Sequence, residues 1–257
     1  MKVVILAGGL GSRISEESHL KPKPMIEIGN KPILWHIMKI YSHYGFNDFI
    51  ICLGYKGNII KEFFSNYYIN MSDVTFDFQN GGTATIHENI IEPWKVTLVD
   101  TGLYTQTAGR LSRIKKYIDN EPFMLTYGDG ISDIDINKLL EFHKQHNKIA
   151  TITAVQPKGR FGILDINDAN NEILRFDEKS NEENNWINGG FMVMEPEIFN
   201  YINDNSEALE IEPMRTLALE HKLAAFKHTG FWQCMDNQRD KCIIEKMIEE
   251  NNTPWIK

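Results

Sequence analysis

The chain opens on MKVVILAGGLGSR, and residues 2–7 are a continuous aliphatic run that ends at glycines. A strand apolar on both sides of its pleat must be covered on both faces, so it belongs inside a sheet with helices above and below. KPILWHIMKIYSHYG then sets Ile33, Ile37, Ile40 and Tyr41 on one helical stripe, with Pro32 near its start and Gly45 at its end. DFIICLGY reads as a second buried strand and KGNIIKEFFSNYY as a second helix. Strand, helix, strand, helix in this order predicts a parallel sheet with right-handed crossovers.

The remainder is less regular. DVTFDF and WKVTLVD read as edge or ribbon strands separated by QNGGTATIHENIIEP, and RLSRIKKYI as a short helix. PFMLTYGDG is a strand ending in an acidic turn, DINKLLEFHKQH a helix and IATITAVQ a strand. FGILDINDANNEILRFDEK alternates apolar and polar residues around an Asn-rich turn, which predicts a hairpin. NNWINGGFMVME is a strand, EIEPMRTLALEHKL a helix, AAFKHT a short strand and NQRDKCIIEKMIEEN a closing helix. The expectation is one α/β domain over residues 1–257, with a small β subregion around 161–190.

Composition narrows the partners. With 42% hydrophobic residues in 257, the chain can bury a sizeable core. A net charge of -8 argues against a dedicated nucleic-acid binder. Cys52, Cys234 and Cys242 have no metal-ligand spacing and leave one unpaired, as expected of reduced thiols in a cytoplasmic protein. The opening apolar run is too short for a signal peptide, and no stretch approaches the roughly 18 apolar residues of a membrane span. The eight histidines form no H-E-x-x-H and there is no Gly-x-Ser-x-Gly elbow, so hydrolytic nucleophilic catalysis has little support.

Gly8, Gly9 and Gly11 let backbone amides approach an anion. The dinucleotide fingerprint would need a glycine where Ile14 stands, and the Gly-Lys-Ser/Thr of a P-loop is absent. Arg13 with Lys21 and Lys23, the latter between two prolines, makes a cradle for a triphosphate; the bland alternative is two solvated surface lysines. Asp129, flanked by Gly128 and Gly130, ends a strand where open α/β sheets bind ligands, and it would hold Mg²⁺ if a second carboxylate reached it. Asp133 is expected to cap the next helix and Asp135 to be exposed, while Asp236 is either that second carboxylate or a helix cap. Glu178 and Lys179 are surface decoration or a ligand pair. Asn188, Gly189 and Gly190 mark either a bulge or the close approach of a polyhydroxylated ligand.

Taken together, LAGGLGSR…KPKPM, TAGRL, YGDG, FDEK, WINGG and GFWQCMD resemble the sugar-phosphate nucleotidylyltransferases. KPILWHIMKIYSHYGFNDFIICLGYKG, MSDVTF, EPWKVTLVDTG and INGGF are similar to their cytidylyl branch, over essentially the whole chain. The resemblance implies a Rossmann-like, mixed, mostly parallel sheet flanked by helices, and transfer of cytidylyl from CTP to α-D-glucose 1-phosphate with Mg²⁺. It also implies a place in surface-polysaccharide (3,6-dideoxyhexose) synthesis and a homo-oligomer, often a hexamer. By the same likeness Leu6, Ala7, Gly8, Gly9, Leu10, Gly11, Ser12 and Arg13 wrap the nucleotide. Lys23 meets its phosphates, and Thr105, Thr107, Arg110 and Gly128 line its side. Asp129 and Asp236 hold the metal, Lys179 meets the sugar phosphate, and Glu178, Asn188 and Gly189 meet the sugar. Ser12 replaces the usual Thr and Ala108 the usual Gly, and FQNGGTATIHENII departs from the family pattern. Two readings from other classes are a nicotinamide enzyme, with Glu27 as its ribose acid, and a non-catalytic sugar-nucleotide sensor.

Overall fold

The computed structural model describes residues 1–156, 163–167, 170–177, 186–202 and 207–256. Nine strands form one sheet: β1 (Val3–Leu6), β2 (Asp48–Leu53), β3 (Lys95–Asp100), β4 (Phe123–Tyr127), β5 (Ala150–Val155), β6 (Ile163–Asn167), β7 (Glu172–Asp177), β8 (Ile187–Met194) and β9 (Leu223–Lys227). Their spatial order is β6-β7-β9-β5-β8-β4-β1-β2-β3. The N-terminal half, β3-β2-β1-β4, is parallel throughout. Beyond β4 the sheet is mixed: β8 runs antiparallel to both β4 and β5, and β9 is parallel to β5. The hairpin β6–β7 joins this sheet at its edge through β9.

The opening run earns its central place by covering both faces. Val3 and Ile5 point into one core cluster with α1 (Ile33–His43), while Val4 and Leu6 point into the other, with α3 (Thr107–Ile114). The expected stripe on α1 is buried as drawn, with Ile33, Ile37 and Tyr41 fully enclosed. α2 (Gly57–Ser65) and α4 (Ile136–His146) add Ile60 and Leu139 to the first cluster; α5 (Glu212–Leu219) adds Met214 and Leu217 to the second. α6 (Gln238–Glu249) closes the chain.

Two features were misread or missed. Asp135, not Asp133, caps α4, its carboxylate accepting from Lys138 N at 3.0 Å; Asp133 instead pairs with His228 Nε2 at 2.9 Å. A cap side chain must stand just before the first turn, and this helix begins at Ile136, two residues later than a cap at Asp133 requires. Thr83–Asn89 is a strand, paired antiparallel with Ser72–Asp77 into a separate hairpin. Its mostly polar TATIHEN alternates only Ala84 and Ile86 on one face, opposite Phe76 and Val74, too short an apolar pattern to mark a strand by itself.

His36 on α1 records how the C-terminal segment is tied down. Its Nε2 faces Ile28 O at 3.2 Å, and Trp255 Nε1 donates to its Nδ1 at 3.3 Å. Burial of the ring pushes its pKa down to about 4, against the help of the Ile28 carbonyl. The folded chain therefore refuses a proton that the unfolded chain accepts near pH 6.5, so stability present above that pH is lost as pH falls toward 4. The loss from this group reaches at most about 3 kcal/mol. The melting temperature should fall over that window, and His36→Gln should flatten the slope.

Candidate active site

The site lies at the carboxyl ends of β1 and β4, where open α/β sheets bind ligands. β1 ends as Ala7 N donates to Cys52 O at 3.0 Å, and the chain leaves the sheet through Gly8 to Arg13. Gly11 adopts φ +66°, a left-handed conformation that a side chain resists, and this turns the loop into the short helix Ser12–Ile14. Among the described residues, the amides of Gly9, Leu10 and Gly11 donate to no protein acceptor. Such a row of outward N–H groups is an anion nest. It opens onto a cleft of about 340 Å³ lined by Leu6, Ala7, Gly8, Gly9, Gly11, Ser12, Arg13, Lys23, Thr105, Thr107, Arg110, Gly128, Asp129 and Asp236, together with Pro24, Gln106 and Tyr127.

Two carboxylates meet in that cleft because of a small ribbon. Gly130–Ser132 pairs antiparallel with Trp232–Cys234, Gly130 opposite Cys234, and Met235 N donates to Asp129 O at 2.8 Å. That register sets Asp129 and Asp236 side by side, although they are far apart in sequence. Lys23, held in a one-turn helix between Pro22 and Pro24, donates Nζ to Asp129 Oδ2 at 2.6 Å and to Asp236 Oδ1 at 2.9 Å. Arg13 Nη1 donates to the other oxygen of Asp236 at 2.8 Å. Burial works against the Lys23 ammonium, but the two carboxylates outweigh it and hold its pKa above the usual lysine range. Burial likewise opposes the Asp236 carboxylate, and Lys23 with Arg13 overcomes it, keeping that pKa low. Lys23 and Asp236 are thus both charged near neutral pH.

Asp236 is not the cap of α6. Asn237 is, in a capping box with Asp240: Asp240 N donates to Asn237 Oδ1 at 3.1 Å, and Asp240 Oδ2 accepts from Asn237 N at 3.2 Å. The helix end is therefore satisfied without Asp236, which turns into the cleft. Among the described residues no three or more His, Cys, Asp or Glu converge on one point. Two carboxylates already sharing one cation do fit Mg²⁺, which commonly takes one or two protein carboxylates and completes its shell with substrate phosphate.

The other expected residues divide. Leu10 is 48% exposed and turned away from the cleft wall. Lys21 is outside too, bonded to Glu27 at 2.8 Å, which takes Glu27 out of any ribose-binding role. Thr107 lines the wall, its hydroxyl donating to Glu210 Oε2 at 2.6 Å and accepting from Leu209 N at 2.8 Å. Asn188 Nδ2 donates to Tyr127 OH at 3.2 Å, while its Oδ1 accepts from Gly190 N at 2.9 Å, so Asn188-Gly189-Gly190 forms an irregularity in β8 facing Tyr127. Tyr127 OH donates in turn to Glu210 Oε1 at 2.5 Å; burial and that carboxylate push the phenol well above its usual pKa. Glu178 and Lys179 lie outside the described residues. Glu210 carries no motif, and Tyr127, although it opens YGDG, is singled out only by this convergence.

A family model for nucleotidyl transferases matches residues 2–236, from β1 to the second carboxylate. The chain belongs to the nucleotidyl transferase family. It is 52% identical over 256 residues to the glucose-1-phosphate cytidylyltransferase of Salmonella typhimurium, covering 99% of this chain and 98% of that one. It is 28% identical over 265 residues to the mannose-1-phosphate guanyltransferase of Yarrowia lipolytica, covering 98% of this chain and 66% of the relative. In fold it matches the crystal structure of HddC from Yersinia pseudotuberculosis, with a TM-score of 0.74 at 23% identity over 96% of this chain and 99% of that one. As a nucleotidyl transferase it is an enzyme, and the reading as a sugar-nucleotide sensor falls away with the nicotinamide one. Among the described residues no helix is long and apolar enough to cross a membrane.

Proposed function

We propose that the protein transfers the cytidylyl group of CTP to α-D-glucose 1-phosphate, giving CDP-glucose and pyrophosphate. The observation that carries the choice of substrates is the 52% identity, end to end, with a glucose-1-phosphate cytidylyltransferase. The chemistry suits the cleft. A phosphate monoester with a second pKa of about 6 is already ionised near neutral pH, so its oxygen can attack the α-phosphorus in line without a general base. The difficulty is bringing two polyanions together. The amides of Gly9, Leu10 and Gly11 receive phosphate oxygens, and Arg13 and Lys23 neutralise their charge. Asp129 and Asp236 would hold Mg²⁺, which supplies charge neutralisation on the α-phosphate. Lys23, now shared between those carboxylates, then turns toward the phosphates. By the family likeness we assign the sugar phosphate to Lys179 and the sugar to Glu178, Asn188 and Gly189.

Pyrophosphate release measured across four nucleoside triphosphates and several sugar phosphates tests this reading. CTP with glucose 1-phosphate should exceed every other pair by at least about tenfold in kcat/KM, roughly the discrimination one specific contact supplies. A preference for dTTP or UTP would overturn it. The homo-oligomer implied by the family likeness would cover the apolar hairpin side chains Phe76 and Phe78, whose rings stack at 6.1 Å in solvent. Light scattering on the same preparation reads the mass, and a monomer would exclude that assembly.

A further inference from the structure

Arg110 lies on α3 beneath the glycine loop and is only 4% exposed. Its two terminal nitrogens make five hydrogen bonds. Nη1 donates to Leu53 O at 3.0 Å, Thr101 Oγ1 at 2.8 Å and Gly102 O at 2.9 Å. Nη2 donates to Gly8 O at 2.9 Å and Leu103 O at 3.3 Å. Every acceptor is neutral, and four are backbone carbonyls from the loops after β1, β2 and β3. Burial lowers the pKa of the guanidinium, yet arginine stays protonated under all ordinary conditions.

Gly8 and Gly54 pack directly on this group. A Cβ at Gly8 would fall 2.0 Å from Nη1, 2.3 Å from Cζ and 2.9 Å from Nε, so its three nearest atoms all belong to Arg110. A Cβ at Gly54 would lie 2.5 Å from Nη1, but also 2.5 Å from the Gly8 carbonyl oxygen. Neither glycine has a positive φ, so backbone strain does not explain them. The end of an arginine can usually swing aside; this one is held by five hydrogen bonds that moving it would break, although Gly8 O and Leu53 O would keep Tyr55 N and Thr101 N as donors. Gly9 differs, since nothing lies within 4 Å of its missing Cβ.

We propose that Arg110 is the positioning residue of the glycine loop. Its guanidinium, rather than an approaching anion, requires glycine at position 8, and by holding the Gly8 carbonyl it sets the pose of the amides of Gly9, Leu10 and Gly11. The second half of this statement rests on the nucleotide reading above; the first half does not.

A double-mutant cycle tests it. Gly8→Ala in the wild-type background should lower the melting temperature and weaken nucleotide binding by at least tenfold, read by titration calorimetry with CTP and Mg²⁺. In an Arg110→Ala background the same change should cost less than twofold and leave the melting temperature where Arg110→Ala put it. Gly54→Ala, which also meets the Gly8 carbonyl, should stay harmful in both. If Arg110→Ala does not fold, Arg110→Leu ends where Cδ stands and removes all three atoms that would clash. Arg110→Lys keeps the charge but not the fork, and should not restore binding. Equal losses from Gly8→Ala in both backgrounds, or wild-type affinity in Arg110→Lys, would overturn the proposal. Should the wild type bind no nucleotide, the substrate reading fails while the melting temperatures still decide the steric claim.

Discussion

Lys23→Ala should reduce kcat by ~10²–10³-fold, the usual loss when one preorganised donor is removed from a developing charge. Lys23 is the hinge of the cleft's electrostatics: its side chain is 13% exposed and bonds both Asp129 and Asp236. Its loss has two consequences of opposite sign. The triphosphate loses a cation, which raises the barrier. The two carboxylates lose the ammonium that holds them together, so they repel each other and offer a divalent cation a more strongly negative site. The variant should therefore be slow even when saturated with CTP, and should reach half-maximal activity at lower Mg²⁺ than the wild type. Steady-state kinetics against CTP and against Mg²⁺ separate the two effects. Turnover near the wild-type value would remove Lys23 from the chemistry.

Asp129→Asn and Asp236→Asn should each lower metal-supported turnover by ~10²-fold and raise the Mg²⁺ concentration for half-maximal activity. An amide keeps the shape and the Lys23 hydrogen bond but loses the charge that a hard divalent cation requires. The two variants should also differ. Asp236 is further bonded to Arg13 at 2.8 Å, so its replacement removes that ion pair and should weaken triphosphate binding less than it weakens the metal response. If only one variant loses metal-dependent activity, the other carboxylate serves to orient the cations rather than to hold the metal.

How much of this was legible in the sequence depends on whether the signal was local. The glycine loop, Arg13, the proline-framed Lys23 and Asp129 at a strand end each stand in a short stretch whose own chemistry marks it. The cleft gathers them. Asp236 could not be settled that way, because an Asp before a helix is as good a cap as a ligand. Asn237 and Asp240 close the helix between themselves and release it. The error at Asp133 and Asp135 has the same origin: a cap is decided by which residue first takes helical angles, and neighbouring acids cannot be told apart by type.

Glu210, and the contact that Tyr127 makes with it, were invisible for a stronger reason. The two residues meet only after β4 and the segment before α5 pack against each other, and no spacing rule links them. Thr107 shows the same limit: the partners of its hydroxyl, Glu210 and Leu209 N, reach it only in the folded chain.

By itself, the order of residues determined that a both-faces-covered strand would open a parallel half-sheet and run into an anion-binding turn. Periodicity and glycine placement are properties of neighbouring residues, and they act before the chain is folded. Only the tertiary structure decided which acids meet, which basic groups face the ligand, and why a given glycine is a glycine. Those outcomes are set by register across a ribbon and by close packing between distant segments. Gly8 shows the division: its presence was readable as a turn signal, but the group that forbids a side chain there comes from α3, a hundred residues downstream.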